Sequence, residues 1–358
     1  MAALTEVRCD QIQTCTSGIR TLTLRVLPPS STSGPTARSP LATLRPGQHV
    51  ALCYPFESEG AQQRRYTVTR KPSEDTLEIA VRRSGAGGVS DRLHDNLQTG
   101  ASLGVGDVAG EITAEAIAGC ERVAMIAGGI GITLPLALLR ELALRRRQGE
   151  HTPDVVLLLC APRIADIPFL HELLGLELTS AWFRLHVCIT RETIQDSERF
   201  HAGRPDARRL ACLGQPQALV VCGSHALAAE LGGLAAHCFP GARLLVEAFT
   251  APQAITAVGT AATDAACLPG GRLHLREQGR SLPLRRDASL LEVLEAGDVA
   301  IKSQCRSGIC GACRLRIHRG EVRRAADFCL SQQDKEAGYA LACCTFALED
   351  DIEISLPS

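Results

Sequence analysis

The chain has 358 residues, 45% of them hydrophobic and 22% charged, with a formal net charge of −1. That length suits two or three globular domains, and the near-neutral balance argues against nucleic acid or a membrane surface as a partner. The opening MAALTEVRCDQIQ lacks a basic start followed by an apolar run, and runs such as VVLLLCA (155–161) are too short to span a bilayer, so a cytoplasmic chain is expected.

Residues 1–113 carry alternating segments, RTLTLRVL (20–27), RRYTVTR (64–70) and DTLEIAVRR (75–83), divided by Pro- and Gly-containing turns. This is the pattern of an antiparallel β-barrel. PPSSTSGPTARSP (28–40) reads as a loop. RRYTVTR resembles the R-x-Y-[ST] motif of the ferredoxin–NADP reductase superfamily. The resemblance implies a flavin site in which Arg64 offers a planar charged fork to a phosphate, Tyr66 a ring face to the isoalloxazine, and Thr67 a hydroxyl near N5. GAGGVSDRLHDNL (85–97) resembles the family's second flavin element. There Gly87 and Gly88 would allow close backbone approach, and Ser90 would cap a helix facing the phosphate. The pattern favours FAD and leaves FMN open, since a relative with the same domain order uses FMN. Either piece alone is equally an ordinary arginine-bearing strand or an ordinary capped helix.

From 114 to 250 the texture changes. RVAMIA, PDVVLLLCA, FRLHVCIT and QALVVCG are buried-strand patterns. PLALLRELALRRR (135–147), IPFLHELL and HALAAELGGLAAHC (225–238) are helical. Strands alternating with helices argue for a parallel α/β sheet. AGGIGITLPLALL (127–139) places a glycine-rich turn between strand and helix, a cradle for a pyrophosphate. Gly128, Gly129, Gly131 and Thr133 match the same family's GG-x-G-x-T, with the following proline displaced by one place to Pro135. VVCGSHAL (220–227) resembles the family's C-G-P, so Cys222 would lie beside the nicotinamide with Gly223 next to it; Ser224 replaces the proline. In VEAFTAP (246–252), Glu247 and Phe249 match an E-x-F close to the flavin. Thr67, Cys222 and Glu247 are therefore the catalytic candidates. Arg191, in ITRE (189–192), suits the 2′-phosphate of NADPH, with Arg163 and Arg204 as alternatives and NADH kept open.

The stretch 251–270 is rich in small residues, lacks periodicity and reads as a linker. Residues 271–358 show strand signals at RLHLREQ, CRLRIHRG and DIEISL and a short helix at SLLEVLEAG (289–297). Most of the sixteen cysteines, Cys53, Cys160, Cys188 and Cys222 among them, sit singly in apolar stretches as small hydrophobes. Cys305, Cys310 and Cys313 stand apart. Their C-x4-C-x2-C spacing is the plant-type pattern for a [2Fe–2S] cluster, with Cys343 or Cys344 as the fourth thiolate. Structural zinc is the competing reading, although zinc sites usually come as two separated pairs. CRSGICGACRLRIHRGEV with AGYALACC resembles a plant-type ferredoxin domain, a β-grasp fold. By that resemblance Cys343 is the fourth ligand, Cys344 a bystander, and Cys329 matches nothing.

The order flavin, nicotinamide, ferredoxin resembles the single-chain reductases that feed oxygenases and hydroxylases. It implies an NAD(P)H oxidoreductase that passes a hydride to flavin and then single electrons through the cluster to a transient acceptor protein, the chain being a monomer when free. An electron-transfer subunit bound within a larger redox enzyme, or a zinc-containing protein without redox activity, are the other readings.

Overall fold

The computed structural model describes residues 4–27, 41–55, 63–85, 88–249, 267–285, 288–302, 308, 313–325, 330 and 332–356. The loop expected at 28–40, Gly87, most of the expected linker, Cys305, Cys310 and Cys329 lie outside the described residues. The chain divides into two compact units, Met1–Gly223 with Glu230–Leu245, and Ser224–Ala229 with Val246–Ser358.

The first unit opens with a closed antiparallel barrel. Its strands are β1 (Thr5–Thr16), β2 (Ile19–Val26), β3 (His49–Cys53), β4 (Gln63–Ser73), β5 (Thr76–Arg82) and β6 (Ser102–Ala109), in the order β1-β2-β5-β4-β3-β6. Each strand sends a pair of residues two apart into one core: Val7 and Cys9, Leu22 and Leu24, Val50 and Leu52, Tyr66 and Val68, Leu77 and Ile79, Leu103 and Val105. That period of two is what a strand with one buried face requires. Helix α1 (Val89–Asp95) adds Val89 and Leu93 to the same core. The turn before it is tied by the Asp91 carboxylate, which accepts from Ser84 N at 2.7 Å and Gly85 N at 3.0 Å.

After a short helix α2 (Ala114–Ile117), a six-stranded sheet follows: β7 (Arg122–Gly128), β8 (Asp154–Ala161), β9 (Phe183–Ile189), β10 (Phe200–Ala202), β11 (Ala218–Gly223) and β12 (Arg243–Ala248). Its order is β10-β9-β8-β7-β11-β12, and β7, β8, β9, β10 and β11 run parallel. The inner strands are near-continuous apolar runs because both their faces are covered. Helices α3 (Thr133–Arg147), α4 (Leu170–Thr179), α5 (Ala207–Leu210) and α6 (His225–Cys238) complete the segment. The helix expected from IPFLHELL starts later than that reading. Ile167 is extended and Phe169 adopts φ 58°, so the first helical residue is Leu170. The strand order reverses between β7 and β11, and ligands of open α/β sheets bind at such a switch point.

In the second unit, β13 (Cys267–Leu275), β14 (Arg280–Arg285), β15 (Arg314–Arg319), β17 (Tyr339–Leu341) and β19 (Asp351–Ser355) form one sheet in the order β14-β13-β19-β15-β17, with β16 (Val322–Arg324) and β18 (Thr345–Ala347) as a separate pair. β13 and β19 are parallel, and the other pairs are antiparallel. Helix α7 (Leu290–Ala296) lays Leu290, Leu291, Val293 and Leu294 into the core of this domain. A capping box between Ser289 and Glu292 fixes its start. A further short helix, α8 (Gln332–Glu336), precedes β17. The expected linker ends sooner than its sequence suggests: β13 begins at Cys267, with a register shift between Cys267 and Arg272 that accommodates the Pro–Gly–Gly of its first half. Among the described residues, no helix is long and apolar enough to cross a membrane.

Candidate functional site

β3 and β4 pair with Val50 opposite Tyr66 and His49 opposite Thr67. Tyr66 is 6% exposed, and its hydroxyl is 2.9 Å from Ser90 Oγ on α1. The structure thus joins the two flavin-like segments, although not in the expected way. Ser90 is the second residue of α1, whose N-cap is Gly88 without a side-chain cap bond. The Ser90 hydroxyl therefore partners Tyr66 instead of the helix end, and burial pushes the Tyr66 phenol up to about 12. Thr67 is buried, Arg64 is exposed, and a Cβ built on Gly88 would meet nothing within 4 Å.

Sequence reasoning passed over two residues here. His49 Nε2 and Arg65 Nη1 are buried atoms without a hydrogen-bond partner among the described residues. Burial, and after it the charge of Arg65, holds the His49 imidazolium far below its usual range, to about 4. Buried polar atoms normally find partners, so orphans beside Thr67 fit a bound group rich in ring nitrogens and carbonyls, which a flavin is. The signal that would have exposed His49 is its register opposite Thr67, a non-local fact.

The glycine-rich turn runs Gly129–Ile132 as a tight 3-10 turn, with Gly128 extended and Gly129 at φ 54°. A Cβ on Gly131 would fall 2.2 Å from Cys222 O and 2.7 Å from Gly223 Cα. Two separately read motifs therefore touch at the switch point, and only glycine fits between them. Thr133 opens α3, and its hydroxyl donates to Ile130 O at 3.0 Å. Pro135 is the third residue of α3, where its missing N–H costs no intrahelical bond. No side chain caps the start of α3; the Thr133 N–H is taken by Ile130 O of the preceding turn, so the turn's backbone and the positive end of the helix are what an anion would meet. Cys222 is fully buried at the end of β11. In the second unit Glu247 is buried on β12 and Phe249 follows that strand, half-buried.

Of the three arginines considered for a 2′-phosphate, Arg163 is paired with Asp166 at 2.9 Å and Arg204 with Glu230 at 3.1 Å. Arg191 is exposed and makes no ion pair among the described residues, while its backbone N–H donates to Pro162 O at 2.9 Å.

The structure brings Cys313 and Cys343 together in the second unit. Both are buried, and the Ala342 N–H donates to Cys313 O at 2.9 Å, fixing the strand ends that carry them. The Cys343 sulfur lies within hydrogen-bond reach of the Cys313 thiol and the Gly308 backbone N–H. Cys344 Sγ is 3.5 Å from Cys343 Sγ. The Cys313 bond lowers the Cys343 pKa, but the Cys344 thiol and burial outweigh it and push it up to about 12. Gly308, at φ 76°, takes a backbone conformation natural to glycine that aims its amide at the sulfur. Two buried thiols with a backbone donor on one of them fit a [2Fe–2S] cluster, whose sulfurs need such donors.

Residues 273–348 match the family described as a 2Fe-2S iron-sulfur cluster binding domain. The chain is 29% identical over 320 residues to the ferredoxin reductase component of the 3-ketosteroid-9-alpha-monooxygenase of Mycobacterium tuberculosis, covering 87% of this chain and 84% of that protein. Its fold matches phthalate dioxygenase reductase at 19% identity and a TM-score of 0.57, over 99% of this chain and 98% of that one. It also matches an intact type IV self-sufficient cytochrome P450 monooxygenase at 22% identity and a TM-score of 0.61, over 99% of this chain but only 41% of that longer one.

Proposed function

We infer that this ferredoxin–NADP reductase-like oxidoreductase draws electron pairs from NADPH through FAD and delivers them singly, through a [2Fe–2S] cluster, to the oxygenase component of a multicomponent oxygenase. When bound, the flavin accepts a hydride from reduced nicotinamide and gives up its electrons one at a time, and the cluster relays them outward. The chain's residues do the rest by holding and orienting. Arg64 and the open backbone at Gly88 take the flavin phosphates, Thr67 with His49 and Arg65 takes the polar edge of the ring system, and Tyr66, braced by Ser90, shapes the seat. Gly128, Gly129, Gly131 and the start of α3 hold the dinucleotide pyrophosphate, with Cys222 and Gly223 behind the turn. Arg191, exposed and without an ion pair among the described residues, supports a 2′-phosphate and hence NADPH over NADH. Cys305, Cys310, Cys313 and Cys343 would hold the cluster as its four thiolates.

The observation that carries this reading is the Cys313–Cys343 pair with the Gly308 amide on its sulfur, inside the matched domain. A bound flavin can give up its electron pair in single steps, and a cluster of this type, which accepts one electron at a time, would fix delivery to the acceptor as one-electron transfer. The 3-ketosteroid relative belongs by name to an oxygenase system, which supports an oxygenase acceptor here. The test is an anaerobic visible titration of the purified protein with NADPH and then NADH. Bleaching of both flavin and iron–sulfur absorption, with less NADPH than NADH required, is expected, and acid extraction should release FAD. Protein that shows no iron–sulfur absorption after reconstitution with iron and sulfide would overturn the proposal.

A further inference from the structure

Arg140 lies on α3, two helical turns beyond Thr133 of the glycine-rich turn, and is half-buried where that helix meets the barrel. Its guanidinium uses all three nitrogens. Nε and Nη2 donate to the two carboxylate oxygens of Glu172 on α4 at 2.6 and 2.7 Å, and Nη1 donates to Glu78 on β5 at 2.6 Å and to the Thr69 carbonyl on β4 at 3.4 Å. Thr69 is two residues beyond Thr67, and its hydroxyl donates to the same Glu78 oxygen at 2.7 Å. The Arg140 guanidinium also lies 5.7 Å from the centre of the Phe169 ring. Phe169 holds φ 58°, a conformation that L residues with a Cβ seldom adopt, and its N–H donates to Cys15 Sγ on β1 at 3.3 Å.

All of these residues belong to the first unit, and Thr69 lies within RRYTVTR (64–70), the stretch that carries Thr67. The network ties β4, which carries Thr67, to α3, which begins at Thr133. A bidentate arginine fork specifies both distance and orientation, unlike a point charge. Sharing one half-buried arginine between a barrel carboxylate and an α4 carboxylate fixes the barrel against the nucleotide sheet in one register.

We propose that Arg140, clamped by Glu78, Glu172 and the Thr69 carbonyl, is a positioning residue for hydride transfer, setting the seam between barrel and nucleotide sheet so that nicotinamide and flavin meet at reacting distance. The proposal rests on the reading above that both groups bind to this unit. A misplacement of about 1 Å can cost about a hundredfold in rate, so the clamp should govern the limiting rate more than affinity.

The experiment compares holoprotein carrying Arg140→Met, Glu172→Gln, and the neutral triple Arg140→Met/Glu78→Gln/Glu172→Gln. Arg140→Met alone leaves the half-buried Glu78 carboxylate without its cation and is expected to lose stability, whereas the triple removes the charges together. Stopped-flow flavin reduction by NADPH, normalised to bound flavin, should fall about a hundredfold at saturation in the triple, with Kd for NADPH changed less than about threefold. Independently of turnover, alkylation of Cys15, followed by mass spectrometry, should become several-fold faster in the triple as the seam loosens. A triple variant with wild-type limiting rate and wild-type Cys15 alkylation would show that the network only offsets buried charge, which overturns the proposal. Wild-type protein that neither nucleotide reduces would sink the functional reading instead. Cys15 alkylation would then decide the clamp alone, with an unchanged rate counting against it.

Discussion

The glycine-rich turn after β7 and the thiol pair at the ends of β15 and β17 are both small sites pinned to a strand end, but they are made of different material. The turn is backbone packed on backbone. Gly131 lies so close to the Cys222 carbonyl that a single added carbon has no room. The thiol pair is side chain facing side chain, with Cys313 and Cys343 buried in sulfur contact and one glycine amide added. A site of the first kind fails when an atom is inserted, and a site of the second kind when an atom is exchanged. The proposed dinucleotide site should therefore be intolerant of size, and the proposed cluster site intolerant of chemistry.

The largest expected effect tests the second half of that contrast. Cys343→Ser changes little volume but replaces a soft thiolate by a hard hydroxyl, so iron and acid-labile sulfide should fall to background while flavin reduction by nucleotide continues. Cys344→Ser, one residue away and equally buried, should keep a full cluster with only a stability cost of about 1 kcal/mol for the buried hydroxyl. Iron analysis and visible absorption of the two variants decide it. Loss of the cluster in Cys344→Ser with retention in Cys343→Ser would reverse the assignment within the pair.

Gly131→Ala tests the first half. Its Cβ would need about an ångström more than the 2.2 Å available, against backbone that cannot rotate away. Overpacking of this kind costs about 1–3 kcal/mol, and the displaced turn should bind NADPH at least about tenfold more weakly. Gly88→Ala is the control: its φ of −81° suits alanine and nothing lies within 4 Å, so unfolding midpoints should not move. A fall in flavin content in Gly88→Ala at unchanged stability would show that the space is kept for the cofactor. Urea unfolding and binding titrations separate these outcomes.

The same contrast explains what the sequence disclosed. The glycine turn, the cysteine spacing and R-x-Y-T were legible because each is local: a turn or a ligand loop imposes its residue types within a few positions. The parallel α/β segment was legible from its buried apolar runs. What stayed hidden depends on pairings between distant segments. Ser90 reads as a cap, since serine before a helical stretch usually is one, and only the barrel places it against Tyr66, 24 residues away. β13 starts within a stretch that reads as linker because Pro–Gly–Gly signals a turn, whereas here a bulged strand absorbs it. Short strands such as β3 and β6 carry no strong alternation of their own, so His49 could be placed beside Thr67 only once the register was known. Phe169 at a left-handed φ has no sequence signature at all.

His49 offers the smallest effect and a third kind of tolerance, since its site is neither overfilled nor metal-seeking but short of a partner. Its pKa is depressed from the ordinary 6.5 to about 4, by burial first and then by the Arg65 charge. The folded chain therefore keeps the imidazole neutral where the unfolded chain takes up a proton. Stability from this group is intact above about pH 6.5, declines as the pH falls through the window between the two values, and stops declining below about 4. At pH 5.5 the loss amounts to about 1 kcal/mol. His186, His201 and His225 are depressed in the same direction, so the wild-type slope alone cannot identify His49. The difference between wild type and His49→Gln cancels the other three. Urea unfolding of both, freed of flavin, at pH 7.5 and 5.5 should show the wild type losing about 1 kcal/mol more than the variant on acidification. Equal losses would mean that His49 is hydrated or paired in solution, and its orphaned nitrogen would no longer argue for a flavin at Thr67.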